Sequence, residues 1–312
     1  MNQQYYKLSI VTTLYFSAHY IKEFYDRVTK SAKKITDDYE IIFVNDGSPD
    51  NSLEVALSIL NEDNHVKIID LSKNFGHYKA IMTGLTYAKG EYLFLIDCDL
   101  EEEPELLTQF WEEYHRLSNV DVVYGIQKVR KGRAFERISG GLFYTLINYL
   151  SGEAMPKNIL TTRLMSKRYV LSLVSHKEKE LFLAGLFYIT GYNQHPIFVT
   201  KHSKGSTTYS FSKKMAVALN SITSFSDKPL QFIFNVGSII SLLSFCYIVY
   251  RIFSYVFFSK TLLGWASLIV SIWFLGGLNI LFIGIIGIYL SKVFMEVKDR
   301  PYTIIKHIYE KL

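Results

Sequence analysis

Two aspartates one residue apart, Asp97 and Asp99, end the apolar run YLFLID (Tyr92–Asp97), and three glutamates and a proline follow in DLEEEPE (Asp99–Glu105). Paired carboxylates at a strand end offer hard oxygen donors of the kind that Mg²⁺ and Mn²⁺ prefer, with phosphate oxygens able to complete the shell. A cation held there would stabilise negative charge on a bound group. The competing reading is a solvated acidic turn, in which Glu101–Glu103 favour the positive end of a helix starting near Pro104. Cys98 reads as a spacer turned back into the core. Two more polar clusters carry chemistry-bearing residues, Asn45-Asp46-Gly47-Ser48 and Lys73-Asn74-Phe75-Gly76-His77. Taken alone, Asp46 suits an Asx turn or cap and Lys73 a surface charge. Gly76 and His77 open a helix whose N–H groups suit an anion, with His77 itself structural.

The elements that must position these clusters alternate along the chain. KLSIVTTLY, YEIIFVND, VKIIDLS and EYLFLID read as strands. YIKEFYDRVTKSAKKI, DNSLEVALSILNE and HYKAIMTGLTYAK read as helices, the second with Ser48 as N-cap and Pro49 at its first position. This βαβαβαβ order predicts an α/β fold, a mostly parallel, doubly wound sheet with helices on both faces. Ligands in such sheets sit at the carboxyl ends of the strands, so all three clusters should line one crevice. No GxGxxG follows the first strand and no GxxxxGK[ST] occurs, which excludes a dinucleotide fingerprint and a P-loop.

The apolar share, 49% of 312 residues, is concentrated in the last third of the chain. FIFNVGSIISLLSFCYIVY (Phe232–Tyr250) carries no charge, and at about 1.5 Å per residue it can cross a hydrocarbon core of about 30 Å. LLGWASLIVSIWFLGGLNILFIGIIGIYL (Leu262–Leu290) is a second span, whose Gly276, Gly277, Gly284 and Gly287 suit close helix packing in lipid. The alternative is a buried helical hairpin in a soluble core. Lysines 201, 204, 213, 214 and 228 precede the spans, and Lys292, Lys298, Arg300 and Lys306 follow them. Only Arg251 and Lys260 lie between. The positive-inside rule then puts both flanks in the cytoplasm, under an inner or plasma membrane. The expected organisation is a catalytic domain over 1–210, an amphipathic juxtamembrane segment over 211–229, transmembrane helices over 230–258 and 262–291, and a cytoplasmic tail over 292–312. A net charge of +5 does not call for nucleic acid, and two cysteines make no disulfide framework. MNQQYYKLSIVTTLY reads as a polar lead into a strand, with no cleavable signal expected.

FVNDGSPDNS and LSKNFGHYKAIMTGLTYAKGEYLFLIDCDLEEEPELL resemble, in order and spacing, the family 2 glycosyltransferases of the Rossmann-like GT-A fold. The likeness is to the membrane-anchored group that glycosylates polyprenyl phosphates, the dolichyl-phosphate mannose synthases and bactoprenol glucosyltransferases. It continues through RLMSKRYV, GSTTYSF, ITSFSDKPL and IYLSKVFMEVKDRPYTIIK. The resemblance implies an inverting, Mg²⁺- or Mn²⁺-dependent hexosyltransferase. It would use a nucleotide sugar (a UDP-sugar) and undecaprenyl phosphate to make a lipid-linked sugar for cell-surface polysaccharide. A flippase and a homo-oligomer are further partners. By the same resemblance Asp99 holds the metal, and Asp97 joins it or binds the ribose. Asp46 reads the base, Tyr15 stacks on it, and Lys73 lies near the donor diphosphate. Arg163, in TTRLMSKRYV, matches the arginine of the family's Gly-Asp-Phe-Arg-Leu-Met motif and suits an acceptor phosphate. Lys201 and Lys204 would add positive field there, with attraction to anionic lipid as the rival role. Glu102 stands where the family carries an acid and is a catalytic candidate, with helix capping as its rival.

The sequence departs from the family at two places. Leu160-Thr161-Thr162 replaces Gly-Asp-Phe, and Thr13-Leu14-Tyr15-Phe16-Ser17 replaces Pro-x-Tyr-Asn-Glu. The first removes an acid proposed as acceptor-side base. A phosphate monoester with a second pKa of about 6 is already a dianion at neutral pH, so such a nucleophile needs placement and charge screening, not deprotonation. Two rivals remain. A processive polysaccharide synthase would carry Gln-x-x-Arg-Trp, and no Arg-Trp pair occurs, Trp111, Trp265 and Trp273 lying elsewhere. A catalytically inactive scaffold that binds lipid phosphate is the other.

Overall fold

The structure, a computed structural model, describes residues 6–127, 159–179, 181, 183–200, 228–258 and 265–311. Strands β1 (Tyr6–Leu14), β2 (Tyr39–Asn45) and β3 (Val66–Leu71) are parallel neighbours joined by helices α1 (Ile21–Lys33) and α2 (Ser52–Glu62). Helix α3 (His77–Tyr87) then crosses back, so that β4 (Gly90–Leu95) lies on the other side of β1, also parallel. The strand order therefore reverses between β1 and β4, the place where open α/β sheets bind ligands.

Helix α4 (Leu106–Arg116) leads to β5 (Val122–Gln127). Strand β6 (Ile159–Ser166) runs antiparallel to both β4 and β5. Helices α5 (Lys167–Val174) and α6 (Leu183–Ile189) precede β7 (Gln194–Val199), parallel to β5. The eight-stranded order is β7-β5-β6-β4-β1-β2-β3-β8, the mixed, mostly parallel sheet that the GT-A resemblance implies.

The strands are near-continuous apolar runs because both faces are covered. Leu8, Ile10, Ile41 and Phe43 pack with Phe24, Leu107 and Phe110 in one core, while Val11, Ile42, Val44 and Ile69 pack with Ile81, Leu85 and Tyr169 in the other. Helix α3 lies very close to the sheet: a Cβ at Gly84 would come within 2.5 Å of Val11 Cγ1 and 2.8 Å of Val44 Cγ2.

Two expectations change. Helix α2 starts at Ser52, not at Pro49, and Ser48 does not cap it. A carboxylate is the stronger acceptor here. Asp50 Oδ1 takes the Ser52 N–H at 3.1 Å and the hydroxyls of Ser48 and Ser52, both at 2.6 Å. The Ser48 oxygen accepts from the Phe16 N–H instead, at 2.8 Å. The second change is at the tail. Residues expected outside the catalytic domain form β8 (Ile305–Glu310), antiparallel to β3. Ile308 pairs with Ile69, the Ser72 N–H donates to the Ile304 carbonyl at 2.9 Å, and Lys67 Nζ meets Glu310 Oε2 at 2.7 Å. β3, which would otherwise be an edge strand, is thus covered.

The chain divides into two compact units, the sheet together with residues 300–312 and a second unit that holds α7 (Lys228–Phe258) and α8 (Trp265–Val297). Within these helices Lys228–Tyr247 and Ser271–Val297 are long and apolar enough to cross a membrane, and neither is buried against protein. The expected amphipathic segment 211–229 falls outside the described residues except for its last two.

Lys67 is 8% exposed at its side chain, so removing its partner strands a buried charge. Because Glu310 is half-exposed, Glu310→Ala should cost only about 1 kcal/mol. In the full-length protein that lowers the melting temperature by about 2–4 °C. Bonding to Lys67 holds the Glu310 carboxyl below its ordinary value. This contribution is therefore present at neutral pH and fades as pH falls through the depressed value, so wild type and variant should converge in acid.

Candidate functional site

The carboxyl ends of β1, β2 and β4 and the loop after β3 carry Tyr15, Asp46, Asp97-x-Asp99 and Lys73. At β2, Asp46 is 2% exposed. Its Oδ1 accepts the Phe75 N–H at 2.7 Å and its Oδ2 the Gly76 N–H at 3.0 Å. Burial pushes this carboxyl up, while the two N–H groups and nearby His77 pull against that. Gly47 follows with φ +59°, and a Cβ there would sit 2.4 Å from the Lys73 carbonyl carbon. The Asp-Gly turn is therefore pressed against the loop after β3, and only glycine fits. Lys73 is exposed on that loop, its Nζ 5.3 Å from the centroid of the Phe75 ring.

At the end of β1, Tyr15 is 48% exposed and meets Phe16 edge-on at 4.8 Å. Phe16 holds φ +53°. At the end of β4, Leu100 holds φ +59° in the turn where Asp99 Oδ1 accepts the Glu101 N–H at 3.0 Å. Left-handed non-glycine residues concentrate where a fold stores strain for function. Asp97 and Asp99 are half-buried, and Cys98 between them is 2% exposed within the core, as its spacer role requires. Among the described residues no three His, Cys, Asp or Glu side chains gather as a metal cluster. The donor set is nonetheless of the right chemistry. Two half-buried carboxylates suit a hard cation that keeps phosphate and water oxygens in its shell.

A residue that sequence reasoning left structural joins these ends. His77, the first residue of α3, places Nδ1 3.0 Å from Thr13 Oγ1 and Nε2 3.4 Å from Asp97 Oδ1. The Gly-His step at a helix start was visible in the sequence, but not the two strand ends that the ring would meet.

Arg163 and Glu102 are buried, each 1% exposed. Arg163 sits on β6 between Leu95 of β4 and Tyr124 of β5. Its Nη2 donates to the Leu160 carbonyl and its Nε to that of Thr161, both at 3.1 Å, and its Cζ lies 3.1 Å from the centroid of the Phe187 ring. Burial lowers the guanidinium to about 10, against the pull of Tyr169, Tyr124 and Glu102, so it stays charged at neutral pH. Thr162 is fully buried, and its Oγ1 has no hydrogen-bond partner among the described residues. Lys201 and Lys204 lie outside the described residues.

Asp46→Asn tests the loop clamp. An amide has one acceptor oxygen, so one of the two N–H groups would face an NH₂. The loss should be about 1–3 kcal/mol, read as a lower melting temperature of the full-length protein.

Residues 9–172 match the family model described as glycosyl transferase family 2. A Mycobacterium tuberculosis (strain CDC 1551 / Oshkosh) protein, whose name goes no further than glycosyltransferase, is 50% identical over 303 residues, 97% of this chain and 88% of its own. The bactoprenol glucosyl transferase of Shigella phage SfII is 30% identical over 302 residues, covering 96% and 97% of the two chains. The prophage bactoprenol glucosyl transferase homolog of Escherichia coli (strain K12) is 29% identical over 304 residues, covering 97% and 99%. With its motifs, its sheet and these matches in agreement, the chain belongs to glycosyl transferase family 2.

Proposed function

We propose that this glycosyltransferase moves a hexose from a UDP-sugar onto undecaprenyl phosphate with inversion. The observation that carries the reading is the position of Asp97-x-Asp99, at the carboxyl end of β4 beside the reversal of strand order, in a chain whose full-length relatives include bactoprenol glucosyl transferases. A phosphate oxygen of the acceptor attacks the anomeric carbon as the bond to the donor diphosphate breaks, and UDP leaves with the electron pair.

Asp99, with Asp97, would hold Mg²⁺ or Mn²⁺, which supplies positive charge against the departing diphosphate. Tyr15 offers its exposed ring to the base. Asp46 is in place to serve the nucleoside side through the loop it clamps, which presents Lys73 to the diphosphate. Lys201 and Lys204 would supply positive charge for the acceptor phosphate, as the family resemblance implies, and Arg163 would add to it. Arg163 is too buried for direct contact, so its part is a fixed charge behind the site, with buried Glu102 balancing it. No residue need accept a proton, which makes Thr161 tolerable where the family has an acid.

Connectivity supports a membrane arrangement. The chain leaves the sheet unit before α7 and returns to it at β8. With α7 and α8 each crossing once, both flanks share one side, and the lysines that crowd those flanks make it the cytoplasm. The product would pass to a flippase for use at the cell surface.

The test gives the purified full-length protein radiolabelled UDP-sugars, Mg²⁺ or Mn²⁺ and undecaprenyl phosphate. One sugar per lipid is expected. A polymer would mark a synthase, and no turnover with any donor an inactive partner. Asp99→Ala should lower the rate by at least about 10²-fold while leaving the protein in the membrane. The pH profile supplies a second measurement. Turnover should rise through about pH 6, as the acceptor becomes a dianion, and then stay level towards pH 8. A further limb rising above pH 7 would point to a protein base instead.

A further inference from the structure

His77 has no part in the mechanism above, yet its ring lies beside the ends of β1 and β4. The helix it begins is the crossover that carries the chain from β3 back to β4, so it stands where β1 and β4 part. The ring is 43% exposed, unlike a core histidine, and each nitrogen lies near a different strand end. Nδ1 lies 3.0 Å from the Thr13 hydroxyl and Nε2 lies 3.4 Å from Asp97 Oδ1.

We propose that His77 is a positioning residue for donor binding, setting the orientation of the Asp97 carboxylate from a ring that Thr13 holds in place. This rests on the glycosyl-transfer reading of the site. The donor–acceptor logic assigns the tautomer. An ionised carboxylate only accepts, so the nitrogen facing Asp97 carries the proton. Nδ1 then accepts from the Thr13 hydroxyl, which can donate. The 3.4 Å contact is long, as such contacts often are without substrate. The backbone of His77 is fixed as well. Its neighbour Gly76, at φ +102°, has its N–H held by Asp46 Oδ2 at 3.0 Å. Asp46 and Asp97, on different strands, are thus linked through Gly76 and His77. A carboxylate that must meet a cation and a diphosphate gains from this support, because a ligand held by a second hydrogen-bonding group does not have to be ordered on binding. The role requires no change in the protonation of His77.

The test measures binding and not turnover. UDP is titrated calorimetrically into full-length wild type, His77→Ala, His77→Gln and Thr13→Val, with and without Mn²⁺, beside their melting temperatures. His77→Ala should weaken UDP binding about tenfold with Mn²⁺, about 1.4 kcal/mol, and change it little without the ion. His77→Gln, which keeps an N–H donor, should recover most of that loss, and Thr13→Val should fall between. Melting temperatures should stay near that of wild type. The inference is overturned if His77→Ala binds UDP with Mn²⁺ as wild type does. It also fails if the loss is equal without Mn²⁺, or if it tracks a lowered melting temperature that His77→Gln does not restore. A wild-type protein that binds UDP neither with nor without Mn²⁺ would instead overturn the UDP-sugar reading, and this inference with it.

Discussion

A carboxylate buried at the end of β2 organises the site. Asp46 is almost without solvent, and each of its oxygens takes one backbone N–H from the loop after β3. Burying an acid without such partners would be costly, and burying two N–H groups without an acceptor would be costly too. Here each need meets the other. The consequence reaches beyond the pair, because the loop so held carries Lys73 on one side and delivers His77 to the start of α3 on the other. Gly47 allows the approach, since any side chain there would collide with the backbone of Lys73.

Charge is arranged in depth around this frame. The half-buried carboxylates of Asp97 and Asp99 stand at the strand end, where hard donors can meet a cation together with phosphate oxygens. Arg163 lies inside the sheet, stacked on Phe187 and bonded to two carbonyls of its own strand. A buried guanidinium with so many protein partners is held rigidly. On the proposed reading it would act on the site as a fixed field, one that needs no reorganisation.

On the proposed reading the chemistry asked of the protein is modest: a phosphate monoester would attack without losing a proton and the diphosphate would leave as a stable anion, so placement and charge would meet the catalytic demand. The fold adds a constraint of its own. Because β8 pairs with the edge of β3, the last residues of the chain are part of that sheet's hydrogen bonding.

Much of this was legible in the sequence. The alternation of strands and helices, the family motifs around Asp46 and Asp97-x-Asp99, and the two long apolar runs are local patterns, and a local pattern survives in one dimension. The parallel order of β1 to β4 followed from the same alternation, and with it the convergence of the polar clusters at the strand ends. Tertiary structure decided what each side chain does there. It turned the oxygens of Asp46 to N–H groups 29 and 30 residues away, put Arg163 in the interior, and set His77 between Thr13 and Asp97. It also paired the tail with β3. These partnerships join strand ends and loops far apart in the chain. They depend on sheet register and on the short distance between α3 and the sheet, and residue spacing along the chain records neither.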